Sequence, residues 1–441
     1  MNLLEAYAKR LAVSESVYSK QHSGAKMSNH KKLTVAKVLE NTNKFLNEAF
    51  SSSMGTQRSD MGEFKKFCLN LTTVALPNLI ANDLVLVSPM SSMTGYITYI
   101  QYSTTDTELE GKEFRKGGVI NNPFRLGDVD ANYTSSKIVE NVTAGEDFAP
   151  AWTPVDGSVR FFIDGAWVDE KAEDEGKVPT GATKVAYEYD NITVPMARES
   201  IPAIKAEMKS MALLAKARRI AVYYSQIAAF QAKTDYGFDL GDQLAEKAVG
   251  QLSYEIDTEI VNLLDETAGE GATKVYKDKD ITLTWNRKHA TGVSKAEHYE
   301  GFSEVIEVGR QIIYDRTKRF APNYMIIASD VLPILTFMKG FSAAPAGTIN
   351  GPYFAGTLNG LKVYVSPAIK AGRFLLGVNG DDMMSSVAVY APYMAIVPTQ
   401  LLQYADGGTS QGWSTMYDLK VLNEDLIVAG QVEGELFEIN R

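Results

Sequence analysis

The sequence has few of the side chains on which most protein chemistry depends. Its 441 residues include one cysteine and four histidines. Disulfide scaffolds need paired cysteines, and a structural zinc site needs about four Cys or His ligands at close spacing, so both classes are excluded. The histidines form no H-x-x-H or H-E-x-x-H pattern, which excludes zinc proteases of that type.

Long hydrophobic runs are also absent. No stretch of about 18 apolar residues exists, so a membrane-spanning helix is not predicted. The first twenty residues carry Glu5, Lys9, Arg10 and Glu15 among their apolar residues, which is unlike a secretory signal. We therefore expect the chain to be made in a reducing cytoplasm.

The common catalytic and nucleotide-binding motifs are missing as well. No segment matches the G-x-x-x-x-G-K-[ST] phosphate loop or the G-x-S-x-G nucleophile motif. Asp128–Asn132 resembles the start of a calcium loop, but Tyr133 stands where glycine is needed and Val139 where glutamate is needed. Aromatic residues lie on strand-like segments without interleaved Lys or Arg. The sequence predicts no enzyme, no metal site and no cofactor.

What is present is an ordinary globular composition with an uneven charge. The chain is 45% hydrophobic and 22% charged, with 44 Lys and Arg against 54 Asp and Glu, a net charge of −10. This balance argues against wrapping of nucleic acid by charge alone. Residues 1–50 hold eight Lys and Arg against four Glu, whereas residues 104–175 hold sixteen Asp and Glu against seven Lys and Arg. We interpret both regions as solvated surfaces.

The first half of the chain shows mixed signals. Residues 1–32 are polar with little periodicity, so we expect an extended or partly disordered arm. Helical spacing then predicts one helix from Thr34 and another from Asp60 to Pro77, with Cys68 on its apolar face. Alternation predicts a strand at Thr94–Tyr102, and residues 103–154 are acidic and irregular.

A small β unit is predicted at residues 157–191. It contains five aromatic residues that either fill a small core, which we favour, or bind carbohydrate: Phe161, Phe162, Trp167, Tyr187 and Tyr189. The strongest helical signal follows, with apolar residues every four positions from Asp239 to Ala268, which predicts a helix about 40 Å long. The last third mixes helices and strands, with a loop at 341–360 and no βαβ rhythm, so the fold class is α+β.

Several segments occur in an order seen in a known family. Val85–Gly95 is similar to a V-Q-P-M-x-x-x-T-G motif and Gly356–Pro367 to G-T-x-x-G-x-K-V-Y-V-D-P. The matching positions in these two segments and in the later Y-x-P-Y segment are Pro89, Met90, Thr94, Gly95, Gly356, Lys362, Pro367, Tyr390, Pro392 and Tyr393. Ser88, Ser366 and Met416 depart from the expected Gln, Asp and Arg. The chain resembles the major capsid proteins of tailed double-stranded DNA bacteriophages, in the branch that includes the T-even phages.

This resemblance implies an α+β fold of the Hong Kong 97 type. In chain order, it implies an N-terminal arm at residues 1–33 and, at 34–103, arm helices with the first strand of the peripheral domain and extended loop. Residues 104–199 would form the extended loop with its β insertion, and residues 200–269 the peripheral domain, with a spine helix at 239–268. Residues 270–410 would form an axial domain, and residues 411–441 would return to the peripheral domain.

The resemblance also implies a function and partners. We expect a major capsid protein that self-assembles, through hexamers and pentamers, into an icosahedral virion shell enclosing double-stranded DNA without sequence-specific binding. Scaffolding, portal and decoration proteins are implied partners, assembly is expected in the host bacterial cytoplasm, and no membrane is involved. Family members are trimmed by a prohead protease, for which Glu5 is a candidate position. The alternatives are the vertex protein of the same fold and a carbohydrate-binding surface protein.

Overall fold

A long helix and two large sheets organise much of the chain. The computed structural model describes residues 3–21, 26–51, 68–74, 76–77, 79–104, 107–109, 112–115, 119–120, 137–163, 166–168, 177–189, 204–237, 240–269, 274–276, 279–281, 283–288, 292, 294–317, 319–344, 351–399, 402–405 and 407–434. The chain divides into two units, one formed by Met1–Ile97 and Met211–Arg441 and the other by Thr98–Ser210.

The helices belong to the first unit. In chain order they are α1 (Leu3–Ala6), α2 (Ala8–Gln21), α3 (Asn29–Ser51), α4 (68–74), α5 (Ala81–Leu84), α6 (Gln226–Asp235), α7 (Leu240–Ala268), α8 (Lys295–Glu300), α9 (Phe302–Thr317) and α10 (Leu332–Thr336). Within the described ranges, no helix is long and apolar enough to span a membrane.

The strands are shorter and more numerous than the helices. In chain order they are β1 (Leu86–Val87), β2 (Thr94–Thr104), β3 (Thr107–Leu109), β4 (Lys112–Arg115), β5 (Val119–Ile120), β6 (Lys137–Asn141), β7 (Arg160–Ile163), β8 (Ala166–Val168), β9 (Ala182–Glu188), β10 (Ile204–Leu214), β11 (Lys216–Ser225), β12 (Lys274–Tyr276), β13 (Lys279–Ile281), β14 (Thr284–Asn286), β15 (Tyr324–Ile327), β16 (Phe341–Ala343), β17 (Tyr353–Leu358), β18 (Leu361–Val365), β19 (Arg373–Gly377), β20 (Ala388–Pro398), β21 (Leu402–Gln403), β22 (Gly408–Val421) and β23 (Ile427–Glu433).

Two mixed sheets form the centre of the first unit. A seven-stranded sheet has the order β14-β23-β19-β15-β18-β17-β16, and a five-stranded sheet has the order β1-β20-β22-β11 with β21 also paired to β22. Parallel pairs (β1 with β20, β14 with β23, β15 with β18) occur beside antiparallel ones, and helices and strands do not alternate regularly. The predicted α+β class is confirmed.

Helix α7 packs against both sheets because its apolar residues recur every four positions. Its buried residues along this row are Ala248, Leu252, Ile256, Ile260 and Leu264. The first two share a cluster with Trp413 of the five-stranded sheet, and the last three belong to the main core, which contains β15, β18 and β19. The predicted helix at 239–268 is confirmed, apart from Asp239, which lies outside the described residues.

The second unit holds a separate four-stranded antiparallel sheet with the order β6-β9-β7-β8. Phe161 and Tyr187 of this sheet are buried together with Tyr189, which follows β9, at 0%, 0% and 3% exposure, and Phe148 packs edge-on against Phe161 and Tyr187. The predicted β unit is present, and these aromatic residues fill its core. The side chain of Trp167 lies outside the described residues.

Four predictions are wrong. The arm at 1–32 is helical over 3–21 and not extended, because Leu11, Ser14 and Tyr18 repeat at helical spacing and are buried. Helix α3 accordingly begins at Asn29, before the predicted Thr34. The loop at 341–360 contains β16 and β17, and the irregular stretch 103–154 contains β6, which completes the four-stranded sheet. In both cases pairing with other strands outweighs a weak local pattern, with neighbouring strands for β16 and β17 and with the more distant β9 for β6.

The predicted boundary at residue 410 divides strands that share a sheet. Strand β20, assigned to the axial domain, pairs with β22, assigned to the peripheral domain. Strand β23, also assigned to the peripheral domain, pairs with β14 and β19 of the seven-stranded sheet. The division into axial and peripheral domains stays a prediction, and sheet membership is the better guide to its limits.

Candidate functional site

Two of the motif segments lie side by side in the five-stranded sheet, although 300 residues separate them in the chain. Leu86 and Val87 pair in parallel with Val389 and Tyr390. The pairing continues past the end of β1, because the backbone N–H of Met90 donates to the carbonyl oxygen of Pro392 at 3.0 Å. The structure therefore brings Pro89 and Met90 next to Tyr390, Pro392 and Tyr393.

Asn41 of α3 joins these two segments. Its side-chain Nδ2 donates to the carbonyl oxygens of Met90 at 2.7 Å and Tyr393 at 3.0 Å, and the residue is 4% exposed. Pro392 interrupts the regular ladder, since it has no N–H to donate, and the register shifts between Pro392 and Met394. The irregular backbone at Tyr393 thus finds its hydrogen-bond donor in a helix that is remote in sequence.

We expect Asn41→Ala to lower the free energy of unfolding by about 2 kcal/mol, because two buried carbonyl oxygens lose a shared donor. Chemical denaturation of the unassembled chain measures this loss. Lys44→Ala on the same helix is the control, since its ion pair with Glu40 is largely exposed and contributes well under 1 kcal/mol. Equal stability of the two variants would contradict the role of Asn41.

The third motif segment lies in the seven-stranded sheet. Gly356 is in β17 and Lys362 in β18, and Pro367 lies two residues after the end of β18. A Cβ atom at Gly356 would overlap the carbonyl oxygen of Ser342 in β16. The motif glycine therefore lies where the backbone of the neighbouring strand leaves no room for a side chain.

Asp83 connects this segment to the first one. Its carboxylate, 2% exposed, lies 3.4 Å from Lys31 Nζ of α3 and 3.6 Å from Lys362 Nζ. The Asp83 carbonyl oxygen accepts a hydrogen bond from Asn379 Nδ2 at 2.9 Å. The motif lysine thus belongs to an ionic junction at the start of the Val85–Gly95 segment.

The remaining motif residues and the departures from the motifs have local roles. Thr94 and Gly95 begin β2. Buried Ser366 accepts a hydrogen bond from the N–H of Ala368 at 3.2 Å, which is the turn contact that an aspartate makes at such a position. Met416 packs in an apolar cluster with Cys68, which is buried as predicted, and Met394.

Helix α7 is also held by charged groups that periodicity does not reveal. Glu259 forms an ion pair with Arg218 of β11 and accepts a hydrogen bond from the Tyr417 hydroxyl at 2.5 Å. Near the end of α7, buried Arg373 lies 2.5 Å from the Asp265 carboxylate and donates to the carbonyl oxygen of Gly269. The sequence signal that could have revealed them is the acidic character of an otherwise core-facing helix.

Asp257 is the most unusual of these groups. It lies beside the apolar row of α7 and accepts a hydrogen bond from the backbone N–H of Ile80 at 3.1 Å. Burial raises the pKa of its carboxyl group to about 7, and the backbone hydrogen bonds from Ile80 and Ala81 oppose this rise. A buried carboxyl group therefore connects α7 to the chain just before β1.

The buried and charged groups named above connect elements of the fold. Among the described residues, no three His, Cys, Asp or Glu side chains are grouped so that they could hold a metal ion. Burial raises the pKa of the Cys68 thiol to about 12, which suits packing and not nucleophilic attack. What the arrangement does is join α3, α7 and the two sheets into one framework.

Comparison with known proteins identifies that framework. The model of the family described as major capsid protein Gp23 matches residues 61–436. The chain belongs to this family. It is 23% identical over 397 residues to the major capsid protein of Vibrio phage KVP40, covering 79% of this chain and 74% of the relative, and 23% identical over 394 residues to that of Enterobacteria phage T4, covering 79% and 73%.

Solved structures give a weaker likeness. A chain from Mycobacterium phage Cain has a TM-score of 0.39 at 10% identity, covering 80% of this chain and 90% of that one. The capsid of Myoviridae Phage XM1 has a TM-score of 0.36 at 8% identity, covering 79% and 90%. Both scores are below 0.5, so the family assignment rests on the sequence matches.

The protein is therefore a shell-forming major capsid protein, a structural component of the virion. The predicted function is confirmed, and neither the vertex-protein nor the carbohydrate-binding alternative is favoured. The predicted α+β capsid fold is confirmed as well. The framework described above belongs to a subunit that contacts other copies of itself in the shell.

Proposed function

We propose that the chain self-assembles into the icosahedral head shell that encloses the double-stranded DNA genome of a tailed phage, and that it does so without catalysis. The family membership supports shell formation, and the net charge of −10 suits a container that does not bind its DNA tightly. Hexamers, and pentamers where the same chain occupies the vertices, are the expected building blocks.

The observation that carries this proposal is the exposure of β10. All seven residues from 204 to 210 are exposed, although they form a regular strand. Ile204 and Met208, which share one side of the strand, are exposed at 66% and 75%. A strand with so little apolar cover within its own chain gains cover when a neighbouring subunit packs on it.

We assign this strand, with β2, to an extended loop that lies over an adjacent subunit. Residues 104–199 would form most of the loop, with the four-stranded sheet as its insertion. The seven-stranded sheet, including β23, would form most of the axial domain. The five-stranded sheet with α7 would form the peripheral domain. Compared with the domain boundaries predicted from the sequence, this assigns β20 to the peripheral domain and β23 to the axial domain.

Electron microscopy of the purified chain tests the proposal. We expect shells, tubes or sheets, and we expect Met208→Asp to reduce their yield by about tenfold or more, since a charge on the covered side of β10 weakens each contact. Lys205→Asp, on the opposite side of the same strand, is the matched control. A wild-type chain that remains monomeric at high concentration would overturn the proposal.

The partners follow from the same proposal. We expect scaffolding, portal and decoration proteins to contact the shell, and assembly to take place in the bacterial cytoplasm. Trimming after Glu5 stays a prediction. Glu5 lies exposed in the four-residue helix α1, so a protease could reach it with little local unfolding.

A further inference from the structure

Helix α6 has nearly all of its side chains exposed. Of its ten residues only Ala232 is buried. Ile227 and Phe230, three positions apart and therefore on one face, are both 71% exposed, and Tyr223 on the preceding strand is 72% exposed. These three residues form what we call the α6 patch. Monomeric proteins seldom leave such large side chains grouped and uncovered.

Nevertheless, α6 is held in a defined position. The Ser225 side chain caps its first turn by accepting the N–H of Ile227 at 3.2 Å, and the N–H of Gln226 donates to the carbonyl oxygen of Gly407 at 3.0 Å. A helix of ten residues is marginal on its own in water. The patch is thus presented on a supported helix that gains stability when something covers it.

An aromatic groove lies beside the patch. It has a volume of about 570 Å³ and is lined by Tyr223, Tyr224, Tyr404 and the backbone of Gly407 and Gly408. The groove is open to solvent along much of its length, so a side chain of a second copy can enter it from outside. Tyrosine faces and glycine backbone form a suitable surface for a phenyl ring.

We propose that Phe230 of one copy inserts into the tyrosine groove of a second copy, so that the α6 patch is a subunit contact of the shell. This inference rests on the proposed function, because it assumes that many copies assemble. The charged residues of α6 are Lys233 and Asp235, which cancel, so two copies of a chain with net charge −10 meet here without strong repulsion. Tyr223 belongs to both the patch and the groove, so the two lie side by side on every copy, and the contact is reciprocal, with each Phe230 in the groove of the other copy.

Assembly of the variant Phe230→Asp is the first test. We expect the variant to fold as the wild type does but to reduce the yield of particles by about tenfold or more, measured by sedimentation and electron microscopy. Phe230→Leu should assemble, because it keeps an apolar side chain. Phe337→Asp is the control for a general effect of added charge, since Phe337 is another exposed phenylalanine, at 57%.

Crosslinking provides a second test that does not depend on the stability of the Asp variant. Chains carrying Phe230→Cys and chains carrying Tyr404→Cys are assembled together and oxidised. Cys68 is buried and does not compete. We expect covalent dimers in the mixed particles, and none in particles made of either variant alone.

The outcomes separate this inference from the proposed function. If the wild type forms no particles, the proposed function fails. If the wild type forms particles while Phe230→Asp assembles equally well and the mixed particles contain no covalent dimers, only the α6 contact fails. Equal loss of assembly in Phe230→Asp and Phe337→Asp, without covalent dimers, would also overturn it.

Discussion

Replacing Gly356 with alanine is expected to lower the free energy of unfolding by about 3 kcal/mol and to release β16 from the seven-stranded sheet. Gly356 pairs with Ala343 on one side and with Val363 on the other, at a point where the register of β17 and β18 shifts. Its φ of +154° is unusual for a residue with a side chain, and a Cβ atom would overlap the Ser342 carbonyl oxygen. Because that oxygen is backbone, it moves only if β16 moves.

Gly360→Ala in the same hairpin separates this overlap from the effect of the backbone angle. Gly360 has a φ of +85°, but a Cβ atom there would meet no atom within 4 Å. We expect it to cost about 1 kcal/mol, the usual penalty for a left-handed alanine. Chemical denaturation gives both values, and hydrogen exchange at the Ala344 N–H, which donates to Ala355 at 2.8 Å, reports the release of β16. A Gly356 variant no less stable than the Gly360 variant would contradict the argument.

The elements that the sequence predicts well are those whose pattern is local and long. Helix α7 is found almost to the residue because its apolar row continues for about seven turns. Strands β16 and β17 are missed because glycine, alanine and proline dominate their segment, and only the pairing of β17 with β18 and of β16 with β17 defines them. Helix α2 is missed because its buried row is short and includes Ser14, which donates to the carbonyl oxygen of Thr73.

The motif residues are found by resemblance, but their physical roles come only from the structure. No local pattern indicates that Asn41 joins Met90 to Tyr393, or that Lys362 lies near Asp83. Each of these contacts joins residues tens to hundreds of positions apart in the chain. Sequence spacing describes one element at a time, whereas these side chains act between elements.

Replacing Asp257 with asparagine is expected to stabilise the fold at pH 8 by about 4 kcal/mol and to leave it nearly unchanged at pH 4. Burial raises the pKa of this carboxyl group from 3.8 to about 7. Between these two values the folded chain holds a proton that the unfolded chain releases, so the free energy of unfolding falls as pH rises from 4 to 7. An amide is neutral throughout, and its oxygen can still accept the N–H of Ile80.

The measurement is denaturant unfolding of the unassembled wild type and the Asp257→Asn variant at pH 4, 6 and 8. The difference between the two curves isolates one group from the other titrating residues of the chain. Glu255→Gln, on an exposed position of the same helix, is the control and should follow the wild type within about 0.5 kcal/mol. If Asp257→Asn instead runs parallel to the wild type at all three pH values, folding does not raise the pKa of this carboxyl group, which is then ionised at neutral pH in the folded and the unfolded chain alike. The link between α7 and the segment before β1 would then be a hydrogen bond alone, with no dependence on pH.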